Sequence, residues 1–229
     1  MSRPADNLER VRTRIIEAAH AAGRPPDGIR LVAVSKTRPA DDIAAAAEAG
    51  QRDFGENYLQ EALPKIEALR GRDLTWHFIG PIQSNKTRDI AAAFDWVHSV
   101  DRFKIARRLS DQRPDDLPPL EVCLQVNIDD QASKSGVAPA DALELARAVA
   151  GFPRLRLRGL MAIPAPSEDP AAQRAPFAAL RRLRDELNAA GLSLDTLSMG
   201  MTGDLEAAVA EGATIVRVGT AVFGERPAA

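Results

Sequence analysis

The sequence has a single cysteine, which excludes an intramolecular disulfide. Cys123 lies inside a strand-like run, so we expect a small buried side chain rather than a reactive thiol. The three histidines, His20, His77 and His98, have no metal-ligand spacing with one another or with Cys123, and no metal site is predicted. Because apolar residues flank His77, we expect it to be a core histidine whose hydrogen bonds are satisfied.

Long apolar runs and an excess of one charge sign are also missing. No run approaches the length that spans a membrane, and the charged amino terminus lacks the apolar core of a signal peptide. The 30 basic and 32 acidic residues give a net charge of −2, whereas a dedicated nucleic-acid-binding protein usually has a basic excess. We therefore expect a cytoplasmic protein that binds neither membranes nor nucleic acid.

What the sequence does contain is a regular alternation of two patterns. Residues 5–22 have apolar side chains at helical spacing, and strand-like and helical segments then alternate along the chain. The strand-like runs lie near residues 30–35, 52–55, 75–79, 95–99, 121–127, 157–163, 195–199 and 214–218. The helical stretches lie near residues 40–50, 57–70, 86–93, 102–111, 139–150, 170–190 and 203–211.

This alternation predicts a single (β/α)8 barrel domain over residues 1–229, preceded by an extra amino-terminal helix. Little sequence follows the eighth strand, so we expect the amino-terminal helix to fill the last place in the outer ring. The alternative is an open doubly wound sheet, but no G-x-G-x-x-G follows the first strand and no P-loop is present. At the helix starts, Pro39 suits a first helical position, and Ser84 and Asp101 suit N-caps.

Lys36 ends the first strand-like run, and a lysine in that position is unusual. Burial would lower the pKa of its ammonium and so favour the neutral amine. A neutral lysine amine in a pocket can form a Schiff base with an aldehyde or ketone. The alternative is a lysine whose stem packs while its head reaches water.

The ends of the last two strands carry a second candidate feature. Loops after strands seven and eight of such barrels commonly bind phosphate through backbone N–H groups. Here Ser198 and Thr220 would add hydroxyl donors, while Gly200 and Gly219 would let the backbone approach the anion.

The same loops also have a purely structural interpretation. Thr202 would then cap the next helix, and the glycines would only form turns. Asp204 and Glu206 suit a helix N-terminus, but they would disfavour an anion directly beside them.

An amine at one strand end and a phosphate site at two others favour one ligand, pyridoxal 5′-phosphate (PLP). Its aldehyde and its phosphate lie on opposite sides of a pyridine ring, so Lys36 would hold the first and the glycine loops the second. Arg217 lies two residues before Gly219 and therefore points to the same face of its strand, where it could face the ring nitrogen. An arginine there keeps that nitrogen unprotonated and makes the cofactor a weaker electron sink. The alternative for Arg217 is a salt bridge to a nearby carboxylate.

Long motifs covering nearly the whole chain resemble those of the pyridoxal phosphate homeostasis proteins, single-domain relatives of the amino-terminal barrel of alanine racemase. The motifs are LVAVSKTRP (31–39), FGENYLQEALPKI (54–66), WHFIGPIQSNK (76–86), HSVDR (98–102), VNIDDQASKSG (127–136), RGLMAIP (158–164), LSMGMTGDLEAAVAEGAT (197–214) and VRVGTAVFGER (216–226). The resemblance implies a carrier and buffer of intracellular PLP that also serves amino and keto acid balance, with no established turnover. It further implies the roles of seven residues: Lys36 as the Schiff-base lysine, Ser198, Gly200, Gly219 and Thr220 around the phosphate, Arg217 near the pyridine nitrogen and Asn57 beside the cofactor.

Two other functions stay open. A PLP-dependent amino-acid racemase would need a second acid/base opposite Lys36, and the one tyrosine, Tyr58, is expected to start a helix and pack. A cofactor-free aldolase or isomerase acting on a sugar phosphate would use Lys36 and the same phosphate site. For the favoured carrier function we expect a monomer, with apo forms of PLP-dependent enzymes as partners.

Two further segments could contact an anion or the cofactor. Residues 83–88 could bind an anion at a helix start, although a capped, solvated helix end is the simpler interpretation. Lys134, after the fifth strand, could be a second aldehyde or phosphate contact during cofactor transfer, or a solvated loop lysine.

Overall fold

A computed structural model describes residues 4–129 and 135–225 of the chain. Its strands are β1 (Arg30–Val34), β2 (Asp53–Glu56), β3 (Thr75–Phe78), β4 (Trp96–Val100), β5 (Leu120–Gln125), β6 (Leu155–Met161), β7 (Thr196–Ser198) and β8 (Ile215–Val218). Its helices are α1 (Pro4–Ala21), α2 (Ala40–Glu48), α3 (Leu59–Ala68), α4 (Thr87–Ala93), α5 (Phe103–Gln112), α6 (Ala142–Ala150), α7 (Pro170–Ala189), α8 (Leu205–Ala210) and α9 (Thr220–Phe223). Within these two ranges, no helix combines the length and the apolar content needed to cross a membrane.

The eight strands form one closed barrel in sequence order. Each strand runs parallel to the next, and β8 returns to pair with β1 in the register Arg30 to Ile215 and Ala33 to Val218. Because β8 pairs with β1, the sheet has no free edge. The predicted (β/α)8 barrel is therefore confirmed, and the alternative of an open doubly wound sheet is wrong. Closure also brings all the carboxyl ends of the strands to one rim.

Alternation along the strands separates two layers of apolar side chains. One layer lies between the sheet and the helices, where residues such as Phe54 and Val97 are fully buried. The other fills the barrel interior and contains Val32, Trp96, Cys123, Met161 and Ile215. The prediction of a buried cysteine is thus confirmed, and burial raises the pKa of the Cys123 thiol to about 12.

Helix α1 fills the place in the outer ring for which the four-residue α9 is too short. It packs against α8 and α9 on one side and α2 on the other, as predicted. Leu8, Val11 and Ile15 lie on its buried face, and the Asn7 side chain donates a hydrogen bond to the Val222 carbonyl at 2.9 Å. The helix thereby completes the ring and covers the junction between β8 and β1.

The three predicted cap positions are each wrong by one residue. Pro39 is the N-cap of α2 rather than its first helical residue. Ser84 begins a 3-10 turn over Ser84–Lys86 that leads into α4. The N-cap of α5 is Arg102 and not Asp101, because the Asp101 carboxylate accepts a hydrogen bond from the Arg102 guanidinium at 2.6 Å instead of capping the helix.

Candidate functional site at the carboxyl rim of the barrel

Lys36 lies two residues after the end of β1 at the rim, in a four-residue turn over residues 35–38. The turn is closed by a hydrogen bond from the Arg38 N–H to the Ser35 carbonyl at 3.0 Å. Lys36 is half-buried, whereas Ser35 before it is fully buried. The turn therefore holds the lysine at the mouth of the barrel, between the packed interior and solvent.

The strands on both sides of β1 bring other predicted site residues next to this turn. On the β8 side, a methyl group added at Gly219 would lie 3.3 Å from the Val34 carbonyl oxygen, so the backbone at Gly219, where Thr220 begins α9, runs closely past β1. On the β2 side, Asn57 is the first residue after the strand. Its Oδ1 atom is buried and has no hydrogen-bond partner in the part of the chain that the structure describes, so this acceptor is open to a bound group.

The loop after β7 has the close backbone approach that the sequence predicts. Gly200 has a φ of 95°, and a methyl group there would lie 2.5 Å from the Ala208 side chain. Both facts restrict the position to glycine. The Gly200 carbonyl accepts a hydrogen bond from the Arg217 N–H at 2.9 Å, which ties the loop after β7 to β8.

The carboxylates near this loop are already bound to other groups. Asp204, and not Thr202, is the N-cap of α8, so the alternative in which Thr202 caps the helix is wrong. The Asp204 side chain accepts a hydrogen bond from the Met201 N–H at 2.6 Å. Glu206 forms a salt bridge with Arg14 of α1 at 2.8 Å, which offsets its negative charge.

Arg217 lies inside the barrel beneath the rim. Its two terminal nitrogens donate to the Ser198 hydroxyl at 2.7 Å and to the Ala162 carbonyl at 3.0 Å. Among the described residues no carboxylate lies within 4.0 Å of it, so the alternative of a salt bridge is wrong. Burial lowers the pKa of the guanidinium to about 10, which leaves it charged at neutral pH.

Ser198 connects Arg217 to a buried polar chain that crosses the barrel. His98 Nδ1 lies 2.7 Å from the Ser198 hydroxyl, and His98 Nε2 lies 2.9 Å from His77 Nδ1. His77 Nε2 lies 2.9 Å from an Asp53 carboxylate oxygen at the start of β2. We call Asp53, His77, His98, Ser198 and Arg217 the buried polar chain.

Donor and acceptor counting assigns a direction to every hydrogen bond in this chain. The guanidinium can only donate and the carboxylate can only accept. With both rings neutral, His77 therefore donates from Nε2 to Asp53, His98 donates from Nε2 to His77, and Ser198 donates to His98. Burial lowers the pKa of both histidines, that of His98 to well below its usual value, in keeping with the neutral forms.

The same direction places the hydroxyl proton of Ser198 within the buried polar chain. Its only hydroxyl proton is donated to His98, and the side chain is fully buried. Ser198 is the last residue of β7 and its hydroxyl bonds to His98 and Arg217, so its predicted hydrogen bond to a phosphate stays a prediction. The prediction that His77 is a satisfied core histidine is confirmed.

Tyr58 differs from its predicted position. It is the N-cap of α3, as a helix start requires, but its side chain is 51% exposed and does not pack into the core. Together with Asn57 and Lys86 it lines a cavity of about 290 Å³ on the rim. Lys134 lies outside the described residues, so its possible contacts stay a prediction.

Comparison with known proteins shows the family to which the chain is similar. The family described as alanine racemase, N-terminal domain, matches residues 7–227. The pyridoxal phosphate homeostasis protein of Pseudomonas aeruginosa is 64% identical to this chain, covering 99% of it and 97% of that protein. The protein of the same name from Escherichia coli is 54% identical, covering 97% of this chain and 96% of its own length.

Among solved structures, PipY of Synechococcus elongatus with PLP bound matches with a TM-score of 0.85 and 39% identity. The match covers 96% of this chain and 100% of PipY. The strand order, the rim residues and these relatives lead to one assignment: the chain belongs to the family of pyridoxal phosphate homeostasis proteins, whose barrel is that of the amino-terminal domain of alanine racemase.

Proposed function

We propose that this protein carries PLP as a reversible Schiff base on Lys36 and serves the homeostasis of that cofactor and of amino and keto acids. One observation supports the proposal most strongly. Lys36, Asn57 and the Gly219–Thr220 loop lie at adjacent strand ends above a buried arginine, and a relative with 39% identity has PLP bound. The proposed carrier is a single barrel domain.

The residues at the rim fit the chemical groups of this cofactor. When bound, PLP supplies an aldehyde that condenses with an amine and a ring that withdraws electrons from attached groups. Lys36 would provide the amine, and the backbone around Gly200, Gly219 and Thr220 would receive the phosphate. The Thr220 hydroxyl is exposed and would add a donor.

Arg217 would determine the properties of the ring nitrogen. The guanidinium has no lone pair to accept a proton from the ring, so it can only donate to the nitrogen. The buried polar chain holds it in place from below through Ser198. A ring nitrogen kept unprotonated stabilises carbanions weakly, which favours carriage of the cofactor over turnover of amino acids.

The experiment is to isolate the protein with its cofactor. We expect a yellow protein in which borohydride reduction attaches the cofactor to the peptide that contains Lys36. Lys36→Ala should abolish the adduct, while Lys86→Ala, at another lysine of the rim, should retain it. If the wild-type protein takes up no PLP supplied in excess, the proposal is wrong. The cofactor-free aldolase or isomerase, which would be colourless, would then be the remaining function.

A racemase is the second candidate, because Tyr58 is exposed at the rim next to Asn57 rather than packed. A tyrosine could serve there as a second acid/base. Turnover of L-alanine to D-alanine, lost in Tyr58→Phe while the Lys36 adduct is kept, would favour it. If wild type racemises alanine no faster than buffer alone, the carrier function is the one that remains.

Carriage also requires a recipient. We propose that apo forms of PLP-dependent enzymes receive the cofactor from this protein, which acts in the cytoplasm as a monomer. Activation of an apo-enzyme should be faster with the loaded protein than with free PLP at the same total concentration. A free-PLP trap that removes this activation completely would argue against direct transfer. Sedimentation analysis would test the monomer.

A further inference from the structure

The turn that contains Lys36 has an unfavourable backbone conformation. Thr37 has a φ of 64°, and it is the only non-glycine residue with positive φ in ranges 4–129 and 135–225. A β-branched residue is disfavoured in this region, which glycine adopts without steric cost. Other contacts must therefore hold the turn, and with it Lys36, in this geometry.

Helix α3 supplies those contacts on both sides of Lys36. The Glu61 carboxylate accepts a hydrogen bond from the Thr37 N–H at 3.0 Å. The Lys65 ammonium donates to the Ser35 carbonyl at 3.0 Å. Glu61 and Lys65 are four residues apart and so lie on one face of the helix. A single face of α3 thus binds the peptide groups that precede and follow Lys36.

A buried carboxylate completes this arrangement. Glu56, at the end of β2, accepts hydrogen bonds from Lys65 at 2.8 Å and from the Ser35 hydroxyl at 2.7 Å. It is fully buried, and burial raises its pKa although Lys65 opposes the shift. Its second oxygen has no hydrogen-bond partner among the residues described. We call Glu56, Glu61 and Lys65 the Lys65 cluster.

We propose that the Lys65 cluster positions Lys36 by holding Thr37 in its left-handed conformation. None of the three residues needs to touch the cofactor, because Glu61 and Lys65 act through the peptide groups of Thr37 and Ser35. Glu56 acts through Lys65 and the Ser35 hydroxyl. The inference rests on the proposed function, since it concerns the lysine that takes up the aldehyde. It assigns a role to the acidic and basic residues of the segment 54–66 that the buried polar chain and the phosphate loops do not use.

The experiment measures the rate of PLP uptake from the absorbance of the attached cofactor. Glu61→Ala removes the hydrogen bond to the Thr37 N–H and a 3.9 Å ion pair with Lys65 from a partly exposed position, and it leaves both partners of the Glu56–Lys65 pair in place. We expect uptake about tenfold slower, which corresponds to roughly 1.4 kcal/mol. Glu67→Ala is the matched control, because Glu67 lies on the same helix and pairs only with Arg70 in the part of the chain described.

A glycine at position 37 separates positioning from a merely structural role. Since glycine adopts this φ freely, Thr37→Gly should restore uptake in the Glu61→Ala protein to within about twofold of wild type. A loss of helix packing would not be corrected by that change. Hydrogen exchange of the amide of residue 37 in the cofactor-free protein should be faster in Glu61→Ala than in Glu67→Ala.

The other side of Lys36 needs a charge-neutral change, because removing Lys65 alone would leave Glu56 buried without its partner. Glu56→Gln combined with Lys65→Met should slow uptake at least as much as Glu61→Ala. Wild-type uptake rates in Glu61→Ala, or no rescue by Thr37→Gly, would overturn the inference while leaving the proposed function intact. Absence of uptake by wild type itself would instead remove the proposed function.

Discussion

Replacing Ser198 by alanine tests whether the buried polar chain is a continuous network. The Ser198 hydroxyl accepts a hydrogen bond from Arg217 at 2.7 Å and donates one to His98 at 2.7 Å. Alanine removes both bonds without adding volume. The guanidinium then loses one of its two buried acceptors, and His98 Nδ1 has no donor left to it.

The size of the effect follows from the charge of these partners. Losing a hydrogen bond to a charged group costs about 1.5–3 kcal/mol, and leaving the His98 acceptor buried and unpaired adds about 1–3 kcal/mol. We therefore expect Ser198→Ala to lower the free energy of unfolding by roughly 3–5 kcal/mol. At a slope of roughly 2.5 kcal/mol per molar urea, the unfolding midpoint would fall by roughly 1–2 M.

Ser99→Ala provides the matched control. Ser99 is also a buried strand-end serine, at 2% exposure, but its hydroxyl donates only to the neutral Gly80 carbonyl at 2.5 Å. Its loss should cost about 1 kcal/mol. Urea unfolding followed by circular dichroism compares the two variants, and nitrogen chemical shifts of His98 report which ring nitrogen carries the proton. Equal midpoint shifts for the two variants, or a proton on His98 Nδ1 in wild type, would refute the assigned network.

Three further results are expected. Gly200→Ala should lower the free energy of unfolding by about 2 kcal/mol, because φ is positive and the methyl group meets Ala208, and an unchanged thermal midpoint would contradict this. Burial lowers the pKa of His98 in the folded protein, so at low pH the unfolded chain binds a proton that the folded protein does not. The free energy of unfolding is therefore full above the unfolded pKa of about 6.5 and falls below it, by up to about 1.4 kcal/mol per pH unit. His98→Asn should therefore flatten the urea midpoint between pH 7.5 and 5.5 relative to wild type, whereas equal slopes would count against a neutral His98. The buried Cys123 thiol should react with a disulfide reagent only as the protein unfolds, and rapid labelling in native buffer would show that the barrel interior is open.

The barrel was predictable because its signals are local. Strand-like and helical patterns each arise within about ten residues, and their strict alternation leaves few topologies. The apolar spacing of residues 5–22 is likewise local, and the structure packs that helix, α1, against α8, α9 and α2. Cap positions were less predictable, since the Asp101 carboxylate accepts a hydrogen bond from the neighbouring Arg102 guanidinium and does not cap the helix.

The site was predictable where a single residue type is restrictive and not where partners lie across the barrel. Gly200 and Lys36 stand out within their own segments, and the structure places both at the rim. The link between Ser198 and His98 joins residues 100 positions apart, and it depends on strand register that no local pattern contains. The left-handed conformation of Thr37 could not be predicted from the sequence, because the turn lacks the glycine or asparagine that usually marks it.

The position of α1 has a consequence for synthesis on the ribosome. This helix precedes its partners α8 and α9 by nearly the length of the barrel, and the Asn7 bond to Val222 joins residues 215 positions apart. At 5–20 residues per second, the helix waits about 10–40 s before those partners are translated. During that interval α2 is the only one of these three helices available to it, so the face that α8 and α9 later cover stays exposed on the nascent chain.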